Sequence, residues 1–485
     1  MVEAIWSNIF TVSILYNPIL NYFPILGTVT EAEAEIPEVS SSLILAGVLV
    51  SLIIIYSASK IGGELCSRIN LPPVLGELVG GVVVGVSALH LIVFPESGVL
   101  ATDSLVIQFL TETAHLPIEV APQLFATQSE VISLLAELGV IILLFEIGLE
   151  SDLQELIRVG PQAAIVAVVG VVAPFAAGTA GLIYIFHIAT IPAIFAGAAL
   201  TATSIGITAK VLAELGQLSS KEGQIIIGAA VLDDILGIVI LAVVATLVKT
   251  GEIQVTQTII LIISAGAFLI GSILLGRFIS PFLIGMVNKM KTRGELLITS
   301  LIFALVLAYI ASAIELEAIL GAFAAGLILA ETDKRKELEE QVIPLADVLV
   351  PIFFVCVGAK TDLSVLNPAI PSNREGLILA TFLVLVAILG KAITGFTIFG
   401  KPELNKLAIG VGMIPRGEVG LVFAGVGAAS GALSESTEAA IIVMVILTTF
   451  VAPPLLRLVF TEPVLITKTL EAKGKVEITE NSNSD

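Results

Sequence analysis

Apolar residues in this chain come in long continuous runs, separated by short polar stretches. Strict apolar–polar alternation, the mark of a strand with one wet face, is weak throughout. Thirteen runs can be marked, at roughly 43–60, 73–92, 131–149, 161–185, 192–213, 223–247, 257–276, 295–313, 316–331, 344–360, 377–399, 405–429 and 436–457. About 20 mostly apolar residues in helical form cross a bilayer. The pattern therefore predicts an all-α polytopic membrane protein of about 13 transmembrane helices, the eighth and ninth extending into their flanks. A barrel is not expected, because barrel strands need alternation.

The polar stretches set the orientation. With the loop after the first run on the cytoplasmic side, 18 of the 23 lysines and arginines are cytoplasmic. Lys249, Lys360 and Arg374 fall on the other side, and Lys391 and Arg416 fall inside runs. That asymmetry is a strong positive-inside signal. It gives an odd number of spans, an outer start at residue 43 and a cytoplasmic tail at 461–485. Residues 1–42 form an N-terminal extension whose apolar part, 5–26, carries Trp6, Tyr16 and Tyr22 and lacks the basic start of a signal peptide. It is expected to lie at the interface or on the outer side. The acidic loop 93–130 has no lysine or arginine and is expected outside.

Composition adds exclusions. Of the 485 residues, 56% are hydrophobic and 13% charged, against roughly 25% charged in soluble domains. So few charges cannot cover a folded surface unless lipid covers most of it. The net charge of -19 disfavours nucleic acid and suits cations. Cys66 and Cys356 lie far apart in or near apolar runs, so no disulfide is expected.

Two sets of motifs recur. Leu71-Pro-Pro-Val-Leu75-Gly76 with Gly81 resembles Leu316-Glu-Ala-Ile-Leu320-Gly321 with Gly326, at an offset of 245. Leu135-Ala136-Glu137 with Gly148 and Asp152-Leu153 resembles Leu345-Ala346-Asp347 with Gly358 and Asp362-Leu363, at an offset of 210. An odd number of runs separates the paired elements, so the halves would run oppositely through the membrane. That is an inverted-topology repeat, a design of many secondary transporters.

Ionisable groups at membrane depth are functional candidates. The sixth run holds Asp233 and Asp234, which project about 100° apart on a helix; one can face a cation path and the other a partner helix. Lys391, inside the eleventh run, is the natural partner for one of them. Thr201, Thr203, Ser204, Gly206 and Thr208 weaken the fifth run and supply neutral oxygens that suit a hard cation. Gly412, Pro415, Gly417 and Gly420 should break the twelfth, with Arg416 and Glu418 able to neutralise the exposed half-helix ends. Paired interrupted helices point to a transporter's binding site. Glu77 and Glu146 are further candidates. His90, His115 and His187 map to the outer side, where interfacial roles suffice.

The motifs Leu71-Pro-Pro-Val-Leu-Gly-Glu77, Ala202-Thr-Ser-Ile-Gly-Ile-Thr208, Leu232-Asp-Asp-Ile-Leu-Gly237, Leu389-Gly-Lys391 and Gly412-Met-Ile-Pro-Arg-Gly-Glu-Val-Gly420 resemble those of the monovalent cation/proton antiporter superfamily, in particular bacterial (possibly cyanobacterial) sodium/proton antiporters with two adjacent aspartates. The resemblance spans residues 43–460. It implies Asp234 as the essential cation and proton site, with Asp233 also at the sodium site and paired with Lys391 when no ion is bound. It further implies Thr203 and Ser204 beside the ion, and Pro415, Arg416 and Glu418 supporting a crossing of two unwound helices. It implies dimerisation elements at 43–149 and 295–360, core elements at 161–247 and 377–457, a linker helix at 257–276 and a homodimer in the lipid bilayer. The membrane would be a bacterial plasma membrane, or a thylakoid. Sodium, with lithium or potassium as variants, and protons are the expected cargo; no cofactor, nucleotide domain or nucleic-acid partner is implied. Rival readings are a potassium/proton exchanger, a cation channel and, remotely, an intramembrane aspartyl protease. The protease would need carboxyls converging from separate helices, whereas Asp233 and Asp234 are adjacent and diverge.

Overall fold

The computed structural model describes residues 40–114, 120–250, 255–369, 371–399, 401 and 403–481, with side chains in the last helix described as far as Phe460. The apolar segment 5–26 and His115 lie outside the described residues. The helices are α1 (Ser41–Arg68), α2 (Pro73–Val84), α3 (Leu105–Thr113), α4 (Ala121–Glu150), α5 (Leu153–Tyr184), α6 (Thr190–Ala199), α7 (Ile205–Glu214) and α8 (Lys221–Thr250). They continue as α9 (Val255–Val287), α10 (Glu295–Ala313), α11 (Ala318–Ala330), α12 (Arg335–Ala359), α13 (Pro371–Ala392), α14 (Lys406–Gly412), α15 (Glu418–Ala429) and α16 (Glu435–Asn481).

Among the described residues, nine helices are long and apolar enough to cross a membrane: α1, α4, α5, α8, α9, α10, α12, α13 with its short 3-10 extension, and the Glu435–Phe460 part of α16. The other four predicted runs are shorter or broken. Helix α2 stops at Val84, before the end predicted near 92, because Gly85 takes an extended conformation and the chain turns through His90 at φ 51°. Helix α11 spans only 13 residues. The fifth and twelfth runs are each two half-helices, α6–α7 and α14–α15. The third run starts earlier than expected, at Ala121, because Leu124 and Phe125 join Ile107 and Leu110 of α3 in a small separate core. The segment 93–130 is thus partly a folded cap rather than an open loop. Ser104 caps α3 by accepting the Ile107 amide at 3.3 Å, as an N-cap hydroxyl does.

Packing divides the helices into two groups. Helices α1, α2, α4, α10, α11 and α12 contact one another closely; α5, α6, α8, α13, α14, α15 and α16 do the same; α9 touches both α8 and α11. Close backbone approach in the first group depends on glycine. A Cβ on Gly81 would strike the Val355 carbonyl on α12, and one on Gly326 would strike the Phe145 carbonyl on α4. Gly81 and Gly326 are 245 apart, and Phe145 and Val355 are 210 apart, the offsets that relate the sequence motifs. The same pair of offsets relates Gly358 against Leu78 to Gly148 against Phe323. Such contacts leave no space for any side chain.

Candidate ion-binding site

The α6–α7 break covers residues 200–204. Here Thr201 bonds the Ala198 carbonyl through its hydroxyl, at 2.7 Å. Short hydroxyl side chains that bond the backbone compete with helix in this way. The α14–α15 break covers Met413–Gly417. Pro415 lacks an amide and crowds the preceding turn, and Gly417 is extended at φ -143°.

The two breaks lie against each other. The Ser204 amide donates to the Pro415 carbonyl at 2.9 Å. The Thr203 hydroxyl donates to Met413 O at 3.1 Å, and that of Thr208 to Gly412 O at 3.0 Å. The carbonyls that end α6 and α14 would otherwise face one another with like partial charge. Arg416, fully buried, meets both: Nη2 donates to Leu200 O at 2.6 Å, and Nη1 to Met413 O and Ile414 O at 3.2 Å each. The Arg416 carbonyl in turn accepts from Thr449 on α16 at 2.6 Å. Sequence reading did not single out Thr449; its only signal is a hydroxyl pair, Thr448-Thr449, late in an apolar run. Glu418 opens α15, and its side chain lies outside the described residues.

Helix α8 brings both aspartates to this crossing. Asp233 and Lys391 are each 0% exposed, and Lys391 Nζ sits 3.0 and 3.2 Å from the two Asp233 carboxylate oxygens. Lys391 reaches Asp233 along the bare backbone of Gly170 on α5, while Gly390 lies against Pro174 of the same helix. Asp234, 3% exposed, points instead into a small cavity lined by Ala202, Thr203, Ser204, Ile205, Gly417 and Val419. Its carboxylate and the hydroxyl oxygens of Thr203 and Ser204 form an oxygen-only donor set, which suits a hard cation. Among the described residues no group of three or more His, Cys, Asp or Glu side chains converges.

Gly417 also lines a second, larger cavity of about 510 Å³. This one opens between α4, α11 and α12 on one side and α15 and α16 on the other. Glu137, Glu317 and Lys360 line it. One glycine therefore lines both the open vestibule and the Asp234 pocket. The remaining candidates sit elsewhere. Glu77 on α2 accepts from Ser59 at 3.0 Å, within the first helix group. His90 and His187 occupy turns, both at positive φ. Cys66 and Cys356 are free thiols.

Comparison with known proteins agrees with this geometry. The profile of the transmembrane sodium/hydrogen exchanger family matches residues 26–462. The chain belongs to the sodium/hydrogen exchanger family. This is a family of transporters, not of enzymes, which removes the protease reading. The chain is 71% identical over 445 residues to a high-affinity Na+/H+ antiporter, NhaS3, of the cyanobacterium Synechocystis, covering 92% of this chain and 96% of that one. It is 31% identical over 412 residues to the Na+/H+-K+ antiporter GerN of Bacillus cereus, covering 84% and 95%. Among solved structures it resembles the sodium proton antiporter MjNhaP1 of Methanocaldococcus jannaschii, with a TM-score of 0.57 at 16% identity over 86% of this chain and 99% of that one. The latter likeness concerns the exchanger fold alone.

Proposed function

We propose that this exchanger carries sodium and protons in opposite directions through one site, the Asp234 carboxylate, which holds either ion but not both. The observation that carries the reading is the position of Asp234. A buried carboxylate faces the cavity at the crossing of two broken helices, while its neighbour Asp233 is engaged by Lys391. A charged carboxylate carried through the membrane interior is costly, so a proton or a metal ion must neutralise it during transit. That requirement makes the exchange obligatory. Sodium arriving at Asp234, with Asp233 assisting, loosens the Asp233–Lys391 pair; reprotonation restores it.

The chain crosses the membrane 13 times in this reading, the four short or broken segments completing the nine long helices. The halves form an inverted repeat, supported by glycine contacts that recur at the offsets 245 and 210. Residues 161–247 and 377–457 are the moving core, 43–149 and 295–360 the dimerisation elements of a homodimer, and 257–276 the linker. The protein sits in a bacterial plasma membrane or a thylakoid, with its tail cytoplasmic and the 510 Å³ vestibule on the outer side.

Proteoliposomes loaded with a pH-sensitive dye test the reading, with sodium, lithium and potassium added in turn. Exchange should be lost in Asp234→Asn, by about 100-fold or more, as for removal of a group the transported ion must neutralise. Undiminished sodium-driven dye recovery in Asp234→Asn would overturn it, and sodium flux without proton counter-flux would make the protein a channel.

A further inference from the structure

Helices α4 and α12 meet at Gly139 and Leu349, residues 210 apart, with one flare, the space beside the two helices, on either side of that contact. One flare is the open vestibule, lined by Ala136, Glu137 and Val140 of α4 and by Phe353, Val357 and Lys360 of α12. At the offset of 210, their mates are Ala346, Asp347 and Val350 of α12 and Leu143, Ile147 and Glu150 of α4. The second flare is therefore built from equivalent positions, yet it is not open. Leu143, Ile147 and Val350 are 1%, 1% and 2% exposed. Helix α7 packs here: Gly206 lies against Phe353, Val140 and Leu143 at the crossing, and Ile207, Val211 and Leu212, further along α7, join the same core.

The filled side carries a fastening. Pro72, at the N-cap of α2, supplies no side-chain cap. The Val74 amide in that first turn instead donates to Glu214, at the end of α7, with distances of 3.2 and 3.4 Å to its two oxygens. A carboxylate at a helix N-terminus is favoured by both the free amides and the dipole. Lys210, one turn earlier on α7, is a cation shared by Glu77, Glu146, Glu150 and Glu214, with Lys60 also acting on Glu77 and Arg335 on Glu150. While α7 is docked, it therefore brings its own counter-ion to the acidic side chains of the closed flare.

We propose that Glu214 is the catch of the cytoplasmic gate, and that its release from α2 withdraws α7 and uncovers a second vestibule lined by Glu146, Glu150 and Asp347 through which cations reach Asp234. The proposal rests on Asp234 exchange and on the orientation given above. Withdrawal of Lys210 leaves Glu146 without its cation and Glu150 with Arg335 alone, so an incoming metal ion takes over that role. The two vestibules differ in charge by position: Glu150 stands where the outer one has Lys360, and Glu146 where it has Cys356. The cytoplasmic mouth is thus the more strongly cation-attracting of the two.

The test places single cysteines at Ile147 or Val350 in a Cys66→Ser, Cys356→Ala background that retains exchange. Reconstituted vesicles of known orientation are then treated with a membrane-impermeant thiol reagent on one side at a time. Both cysteines should react from the cytoplasmic side during turnover, and Glu214→Ala should raise the rate about tenfold, with a smaller rise for Glu214→Gln, which keeps an acceptor oxygen. A Pro73→Cys, Glu214→Cys pair joined by a reducible bifunctional thiol reagent should stop exchange, and reduction should restore it. Full exchange with the pair joined overturns the proposal. So does protection of both cysteines from the cytoplasmic side while sodium/proton exchange continues. Asp234→Asn measured in parallel separates that outcome from failure of the exchange reading, because it scores the ion site without touching the gate.

Discussion

The Asp233–Lys391 pair should be weak as a net contributor to stability and costly to break. At 3.0 Å, two unit charges attract by about 5–6 kcal/mol at an effective dielectric of about 20. Both groups are fully buried, and desolvating them offsets most of that attraction. Lys391→Met removes the attraction but leaves the Asp233 carboxylate stranded, so the unfolding free energy should fall by about 3–5 kcal/mol. Asp233→Leu strands the ammonium and should cost a similar amount. The double variant strands nothing, and its stability should return to within about 1 kcal/mol of the parent or exceed it. Unfolding free energies in detergent, arranged as a double-mutant cycle, measure the coupling directly. A loss below about 1 kcal/mol in either single variant, or a double variant whose loss equals the sum of the two, would refute the argument.

Three further perturbations follow from contacts at the site and in the first helix group. Arg416→Met leaves the carbonyls of Leu200 and Ile414 without their donor and that of Met413 with the Thr203 hydroxyl alone; it should cost about 3 kcal/mol or more, and an unfolding free energy unchanged from the parent would count against the capping role. Gly170→Ala places a methyl 3.2 Å from Lys391 Nζ, too close to leave the pair undisturbed; sodium-dependent exchange should slow while Asp234→Asn still abolishes what remains, and a variant with parental kinetics would show that the ammonium moves aside freely. Gly81→Ala and Gly326→Ala each drive a methyl into a backbone carbonyl and should cost a similar amount, about 1–3 kcal/mol; a large difference between the two thermal midpoints would weaken the repeat.

Much of this molecule follows from the order of residues alone. Long apolar runs dictate helices in lipid, because hydrocarbon offers backbone amides no other partner. The breaks at Thr201–Ser204 and Met413–Gly417 were also legible, since hydroxyls, proline and glycine act on their own local backbone. Residue chemistry likewise singled out Asp233, Asp234, Lys391 and Arg416, as charges with no cheap place in an apolar segment. Side-chain chemistry alone could not choose the aspartate that meets Lys391. That depends on the rotation of α8 against α13 and on Gly170 clearing a path, both properties of packing between distant segments. Nor could it find the carbonyls that Arg416 serves, because Leu200 is 216 residues away in the chain. The early start of α4 and the folding of the described part of 93–130 into a cap were missed for a related reason: the apolar residues bury against one another only once α3 and α4 are adjacent. Finally, the proposed repeat would make the two flares between α4 and α12 equivalent in sequence position, so no local signal says which is open. Helix α7 can fill only one of them while α15 stands off from the other, and the tertiary structure alone decides which.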